Sequence, residues 1–179
     1  MTTTEISREQ SNEKMFNIYW SNIAKAVDRV KNPDGNGERL TEAILKLEDS
    51  ARIAQKYFSD KEKEKFAASM ACDIAIMKAE GHKARDYKSE TSPAIFVLED
   101  AARTAKEHAA EQKATKAATL AFDLRIEEGK RQKALANPSL AIFHFKNAER
   151  LADEFELGEE KKKMANALRF QFFLVKEKR

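Results

Sequence analysis

Residues 43–54 (AILKLEDSARIA), 94–105 (AIFVLEDAARTA) and 141–152 (AIFHFKNAERLA) are three variants of one segment, 51 and 47 residues apart. In the third, Ile142, Phe145, Ala148, Ala152 and Phe155 recur at three and four, the spacing that lays apolar side chains along one stripe of an α-helix. The stretches between them repeat as well. Residues 67–74 (AASMACDI) match 117–124 (AATLAFDL), and Trp20-Ser21-Asn22-Ile23-Ala24 and Ala165-Asn166-Ala167-Leu168 are looser relatives. A long, fixed period of paired helices is the mark of a solenoid, in which each unit buries its apolar face only by stacking on the next.

The helix breakers fall between these periodic segments. Asn32-Pro33-Asp34-Gly35-Asn36-Gly37 is the one long turn cluster, and Gly158 separates two further helices. Ser92-Pro93 and Asn137-Pro138 each set an N-capping residue before a proline, whose missing N–H is harmless at the first helical position. Ser59-Asp60-Lys61-Glu62 and Ser7-Arg8-Glu9-Gln10 fit the capping box. These signals predict about seven helices, near 8–31, 38–57, 60–86, 92–109, 112–134, 138–156 and 159–177. No segment alternates with period two. The expected domain is a single helical-repeat array over 1–179, with an N-terminal helix and repeats at about 38–90, 91–136 and 137–179.

Composition agrees with this fold. Gly (5) and Pro (3) are scarce, and 35% of residues are charged against 42% apolar, which suits solvated helices around a real core. One cysteine, Cys72, no basic-then-apolar leader and no long uncharged run give the expectation of a cytoplasmic protein without membrane contact. The net charge of +3 is small, and residues 1–90 carry 16 of the 33 basic and 16 of the 30 acidic side chains, so the surplus lies in the second half. Nucleic acid is therefore not the expected partner.

The third repeat also carries a family likeness. Ala141-Ile142-Phe143, Ala148-Glu149-Arg150-Leu151-Ala152, Leu157-Gly158 and Ala165-Asn166-Ala167-Leu168 together resemble a tetratricopeptide-type unit, although the period exceeds that family's 34 residues. The resemblance implies a right-handed superhelical stack of antiparallel helix hairpins. It makes the helices near 8–31, 60–86 and 112–134 first-helices, those near 38–57, 92–109 and 138–156 second-helices, and 159–177 a cap. It also implies protein or peptide binding in a concave groove lined by first-helices.

Catalytic chemistry finds little support. His82, His108 and His144 lie in no zinc or di-iron pattern, the five glycines form no phosphate loop, and Cys72 among Ala71, Ala75 and Ile76 reads as a buried small side chain. No cofactor, metal or enzymatic activity is expected. The candidate groove residues are Asn22, Ser69, Thr119 and Asn166, which share one register, Asp73 and Asp123, which share another, and Arg169. Hydrogen bonding between repeats is the competing role for them. The leading function is a non-enzymatic scaffold or adaptor holding a protein segment. The alternatives are a nucleic-acid-associated protein using Arg125, Lys130, Arg131, Lys133, Lys161, Lys162, Lys163 and Arg169, or a structural subunit of a helical assembly or homodimer joined through Phe170, Phe172 and Phe173.

Overall fold

A computed structural model describes residues 3–31, 37–84 and 91–171. Among them are seven α-helices and no strand: α1 (Thr3–Lys31), α2 (Gly37–Ile53), α3 (Lys61–Ala84), α4 (Thr91–Glu107), α5 (Glu111–Ala134), α6 (Pro138–Glu154) and α7 (Glu159–Phe170). The expected all-α repeat is what the chain forms. Phe172, Phe173 and the turn cluster at 32–36 lie outside the described residues, and so does most of the surface on which a C-terminal homodimer would rest.

Burial follows the repeat position by position. Residues 61–80 and 111–130 differ in burial class only at 73/123 and 78/128, and 43–54 and 94–105 differ only at 52/103 and 53/104. Equivalent residues therefore do equivalent work. Alanine occupies many of the wholly buried positions, among them Ala67, Ala68 and Ala71 on α3 and Ala117, Ala118 and Ala121 on α5. Small side chains there leave room for a neighbouring helix to pack closely.

Helix starts depart from the sequence expectation. Thr3 opens α1, so Ser7 lies inside the helix, and α4 opens at Thr91, which places Pro93 within its first turn. Asp60, not Ser59, caps α3: its Oδ1 accepts from the Lys63 N–H at 3.0 Å. Ser59 instead stands at φ 50°, closing a π-helical turn, Ala54–Phe58, that extends α2. Asn137 does precede Pro138 at the head of α6, but its side chain makes no cap and donates to Gln132 Oε1 at 3.1 Å.

Helix ends share one construction. Ala109, Ala136 and Glu156 follow α4, α5 and α6 in the left-handed region, at φ 57°, 57° and 51°. Each is flanked by a six-to-one bond, Ala110 N–H to Ala105 O (2.7 Å), Asn137 N–H to Gln132 O (2.9 Å) and Leu157 N–H to Ala152 O (3.0 Å). This is the Schellman closure, which satisfies carbonyls the helix leaves open.

The chain packs as two compact units. One comprises Met1–Lys78 with Asp100–Ala114 and the other Ala79–Glu99 with Thr115–Arg179. In the first, Tyr19 of α1 is fully buried and donates its phenol to the Lys63 carbonyl at 3.1 Å, while Ser50 of α2 reaches the Tyr19 carbonyl at 3.4 Å. Phe58 sets its ring 6.1 Å from that of Tyr19 and 5.9 Å from that of Phe16, so the π-helical turn closes an aromatic cluster. Phe16 and Trp20 stay 44% exposed. In the second unit Phe122 and Ile126 of α5, Ala141, Phe145, Ala148 and Ala152 of α6 and Ala165 of α7 form the core.

Gly129 on α5 marks the tightest approach in that core. A Cβ there would lie 2.5 Å from Cε1 of Phe145, a ring with no exposure. Gly129→Ala gains about 1 kcal/mol of helix propensity but forces an overlap costing about 1–3 kcal/mol. The buried ring has little room to yield, so urea unfolding should show a net loss of up to about 2 kcal/mol. Gly81→Ala, with nothing within 4 Å of the new methyl, should instead stabilise by about 0.5–1 kcal/mol.

Candidate functional site

Arg125 of α5 is the largest fully buried side chain among the described residues. Its Nε donates to Glu99 Oε1 at 2.8 Å and its Nη1 donates to His144 Nδ1 at 3.2 Å, while its Nη2 has no hydrogen-bond partner. The guanidinium also lies over two rings, with its centre 4.5 Å from the Phe96 centroid and 5.5 Å from that of Phe143. α4, α5 and α6 each contribute to this cluster. Burial, and then the Arg125 charge, pull the His144 imidazole down to about 4. The ring is therefore neutral near pH 7; because Nδ1 accepts from Arg125, its proton sits on Nε2.

The other unit holds its own buried polar groups. Glu64 Oε2 accepts from Lys61 Nζ at 3.1 Å and pairs with His108 Nδ1 at 3.2 Å, which gives His108 a structural partner. Glu48, equivalent to Glu99, has no arginine bonded to it, and its Oε1 is without a hydrogen-bond partner. Burial pushes its carboxyl up to about 7. The Cys72 thiol donates to the Ala101 carbonyl at 3.2 Å and is pushed by burial up to about 12, far from a reactive thiolate. No group of three or more His, Cys, Asp or Glu among the described residues could hold a metal ion. No described helix is long and apolar enough to cross a membrane.

The sequence-derived groove residues sit on α1, α3, α5 and α7. Asn22, Ser69, Thr119 and Asn166 are half-buried, and Arg169 Nη2 donates to Asn166 Oδ1 at 3.1 Å. Asp73 pairs with Lys113 of α5 at 2.5 Å and Asp123 pairs with Lys161 of α7 at 2.8 Å. Each aspartate thus ties its helix to the next odd-numbered one. The pairs are about half exposed on the aspartate side and are each worth less than about 1 kcal/mol. Of the basic residues considered for nucleic acid, Arg125 is buried, Arg131 pairs with Glu128, and Lys162 pairs with Asp153.

Sequence reasoning missed a hollow of about 460 Å³ between α6 and α7, lined by Phe143, Lys146, Asn147, Glu149, Arg150, Asp153 and Arg169. It also missed the exposure of Leu45, Phe96 and Phe143, which are 55%, 46% and 44% accessible. All three occupy the third position of the repeated segment that begins at Ala43, Ala94 and Ala141. The signal was present, since an apolar residue at that position falls off the buried stripe.

Two predictions follow from the buried groups. Removing the cation in Arg125→Met strands the Glu99 carboxylate, and denaturant unfolding should show a loss of about 3–5 kcal/mol, largely restored in Arg125→Met/Glu99→Met. The second concerns pH. His144, lowered from 6.5 to about 4, makes the fold lose stability as pH falls through that interval. Glu48, raised from 4.5 to about 7, makes it gain stability over 7 to 4.5. The two effects oppose each other in the protein as it stands. Glu48→Gln should therefore uncover an acid-induced loss of stability between pH 7 and 5, of up to about 2 kcal/mol and read by denaturant unfolding, and His144→Gln should uncover the reverse slope.

Compared with known proteins, the chain matches no family model and no curated protein. Solved structures do resemble it. The protein of a "DHF79 filament" superposes with a TM-score of 0.58 at 17% identity, covering 92% of this chain and 86% of that one. That of a "DHF58 filament" gives a TM-score of 0.54 at 19% identity, covering 97% and 84%. With the internal repeat, these likenesses identify an all-helical repeat fold.

Proposed function

We propose that the chain is a non-enzymatic scaffold that holds a segment of another protein on its helical-repeat surface, as the tetratricopeptide resemblance implies. The observation that carries this reading is the register of Leu45, Phe96 and Phe143, which leaves a large apolar side chain exposed at the same repeat position of each even-numbered helix. Around Leu45 and Phe96 the buried and exposed pattern matches closely; α6 departs from it at several positions yet keeps Phe143 exposed, so the exposure recurs at one register. In this reading each unit offers its own polar patch on the odd-numbered helices, Asn22, Ser69 and Asp73 in one and Thr119, Asp123, Asn166 and Arg169 in the other, with the aspartates held by ion pairs. The engagement of His108 and His144 in buried pairs and the suppressed Cys72 thiol support a binding role over a catalytic one.

Fold likeness to the two filament proteins favours a second reading, a structural subunit of a helical assembly. Sedimentation velocity over a wide concentration range separates the two, since a subunit grows into polymers and a scaffold does not. For the scaffold, in-cell crosslinking should capture a defined protein, and Leu45→Gln and Phe143→Gln should each reduce that capture severalfold while the melting temperature stays within about 3 °C. Undiminished capture by both variants rejects the proposed surface.

A further inference from the structure

The third even-numbered helix departs from the other two at adjacent positions, and the departure reverses its charge. Where α2 carries Glu48-Asp49 and α4 carries Glu99-Asp100, α6 carries Lys146-Asn147. Seven positions after the exposed apolar residue, all three helices have an arginine: Arg52, Arg103 and Arg150. In α2 and α4 that arginine is neutralised within its own helix. Arg52 Nη1 lies 2.8 Å from Asp49 Oδ1, and Arg103 Nη1 lies 3.1 Å from Asp100 Oδ1. α6 keeps the arginine and loses the aspartate. Asn147 turns its Nδ2 to the Phe143 carbonyl at 2.9 Å, and Arg150 is left with a long 3.9 Å contact to Glu99 Oε2. Glu99 is already bonded to Arg125 at 2.8 Å.

These residues line the hollow between α6 and α7, and the remaining charges there are already taken. Arg169 Nη1 pairs with Glu149 at 2.8 Å, and Lys162 of α7 pairs with Asp153 at 2.6 Å. Lys146 is exposed and has no ion pair among the described residues, and Arg150 is 58% exposed. The hollow thus presents two cations lacking a close counter-charge, beside a half-exposed aromatic ring.

We propose that this hollow binds an acidic segment of a partner protein. Its carboxylates meet Arg150 and Lys146, and an apolar side chain lies on Phe143. The ligand carboxylate at Arg150 takes the place that Asp49 and Asp100 fill for Arg52 and Arg103. Pairing is charge-assisted and, at an exposed rim, weakened by salt. The inference rests on the scaffold reading and supplies the chemistry of its partner.

The test is fluorescence anisotropy with a fluorescein-labelled peptide of six glutamates and two leucines, and with the same peptide carrying glutamine for glutamate. The protein should prefer the glutamate peptide at least about fivefold at about 50 mM salt, and the preference should shrink by about 300 mM. Asn147→Asp rebuilds the intrahelical pair and should abolish most of that preference, as should Arg150→Gln. Asn147→Ala should keep it, and circular dichroism should show all three variants folded. An unchanged preference in both Asn147→Asp and Arg150→Gln, no binding of the glutamate peptide, or equal affinity for labelled oligothymidylate each overturns the proposal. Equal binding of both peptides, weakened in Phe143→Gln, overturns acid recognition and leaves the scaffold reading standing.

Discussion

Ala43 and Ala51 on α2, Ala54 in the π-helical turn after it, Ala101, Ala102 and Ala105 on α4, and the Ala-Ala pairs of α3 and α5 all have no accessible surface. A helix face lined with single methyl groups sets a close packing limit, and every larger residue must find its place around that limit. Each methyl contributes little, so stability is spread over many small contacts instead of a few large side chains. Enlarging any of them overpacks a site with no slack. Gly129 is the extreme of the same constraint, a position where the Phe145 ring leaves no room even for a methyl.

Methyl contacts alone specify register weakly, because one alanine stripe resembles the next. Directional polar groups supply what they lack. The Arg125 guanidinium meets one carboxylate, one imidazole nitrogen and two ring faces, and a shift of α5 by one turn would break all four contacts together. Glu64 with His108, and Tyr19 with the Lys63 carbonyl, do the same in the other unit. Such pairs add little net stability over an apolar core, and their role here is to pin alignment.

The architecture was legible because period and breakers agree. Pro138 and Gly158 stood at joints, and the apolar stripe of 141–155 named its own helix. What could not be read was which polar residues turn inward. Arg125 sits in a stretch, Leu124-Arg125-Ile126-Glu127-Glu128, where a basic residue ordinarily points to solvent, and only the positions of Glu99 and His144 on other helices make its burial tolerable. The π-helical turn was equally hidden, since its cause is the distant fit of Phe58 against Tyr19 and Phe16. The α6 hollow lay between these cases. Lys146-Asn147 against Glu48-Asp49 and Glu99-Asp100 is plain in the alignment, yet it gains meaning only when Arg52 and Arg103 are seen holding their aspartates.

The three left-handed closures have an energetic consequence. Ala109, Ala136 and Glu156 each hold a conformation that an L-residue adopts at roughly 1 kcal/mol above its ordinary state, where glycine would rest without strain. The joints are thus less stable than the rods they connect, and local opening at a turn would release strain that opening within a helix would not. Glycine at those three points would relieve the strain, and at position 156 it would also remove an exposed carboxylate from the surface.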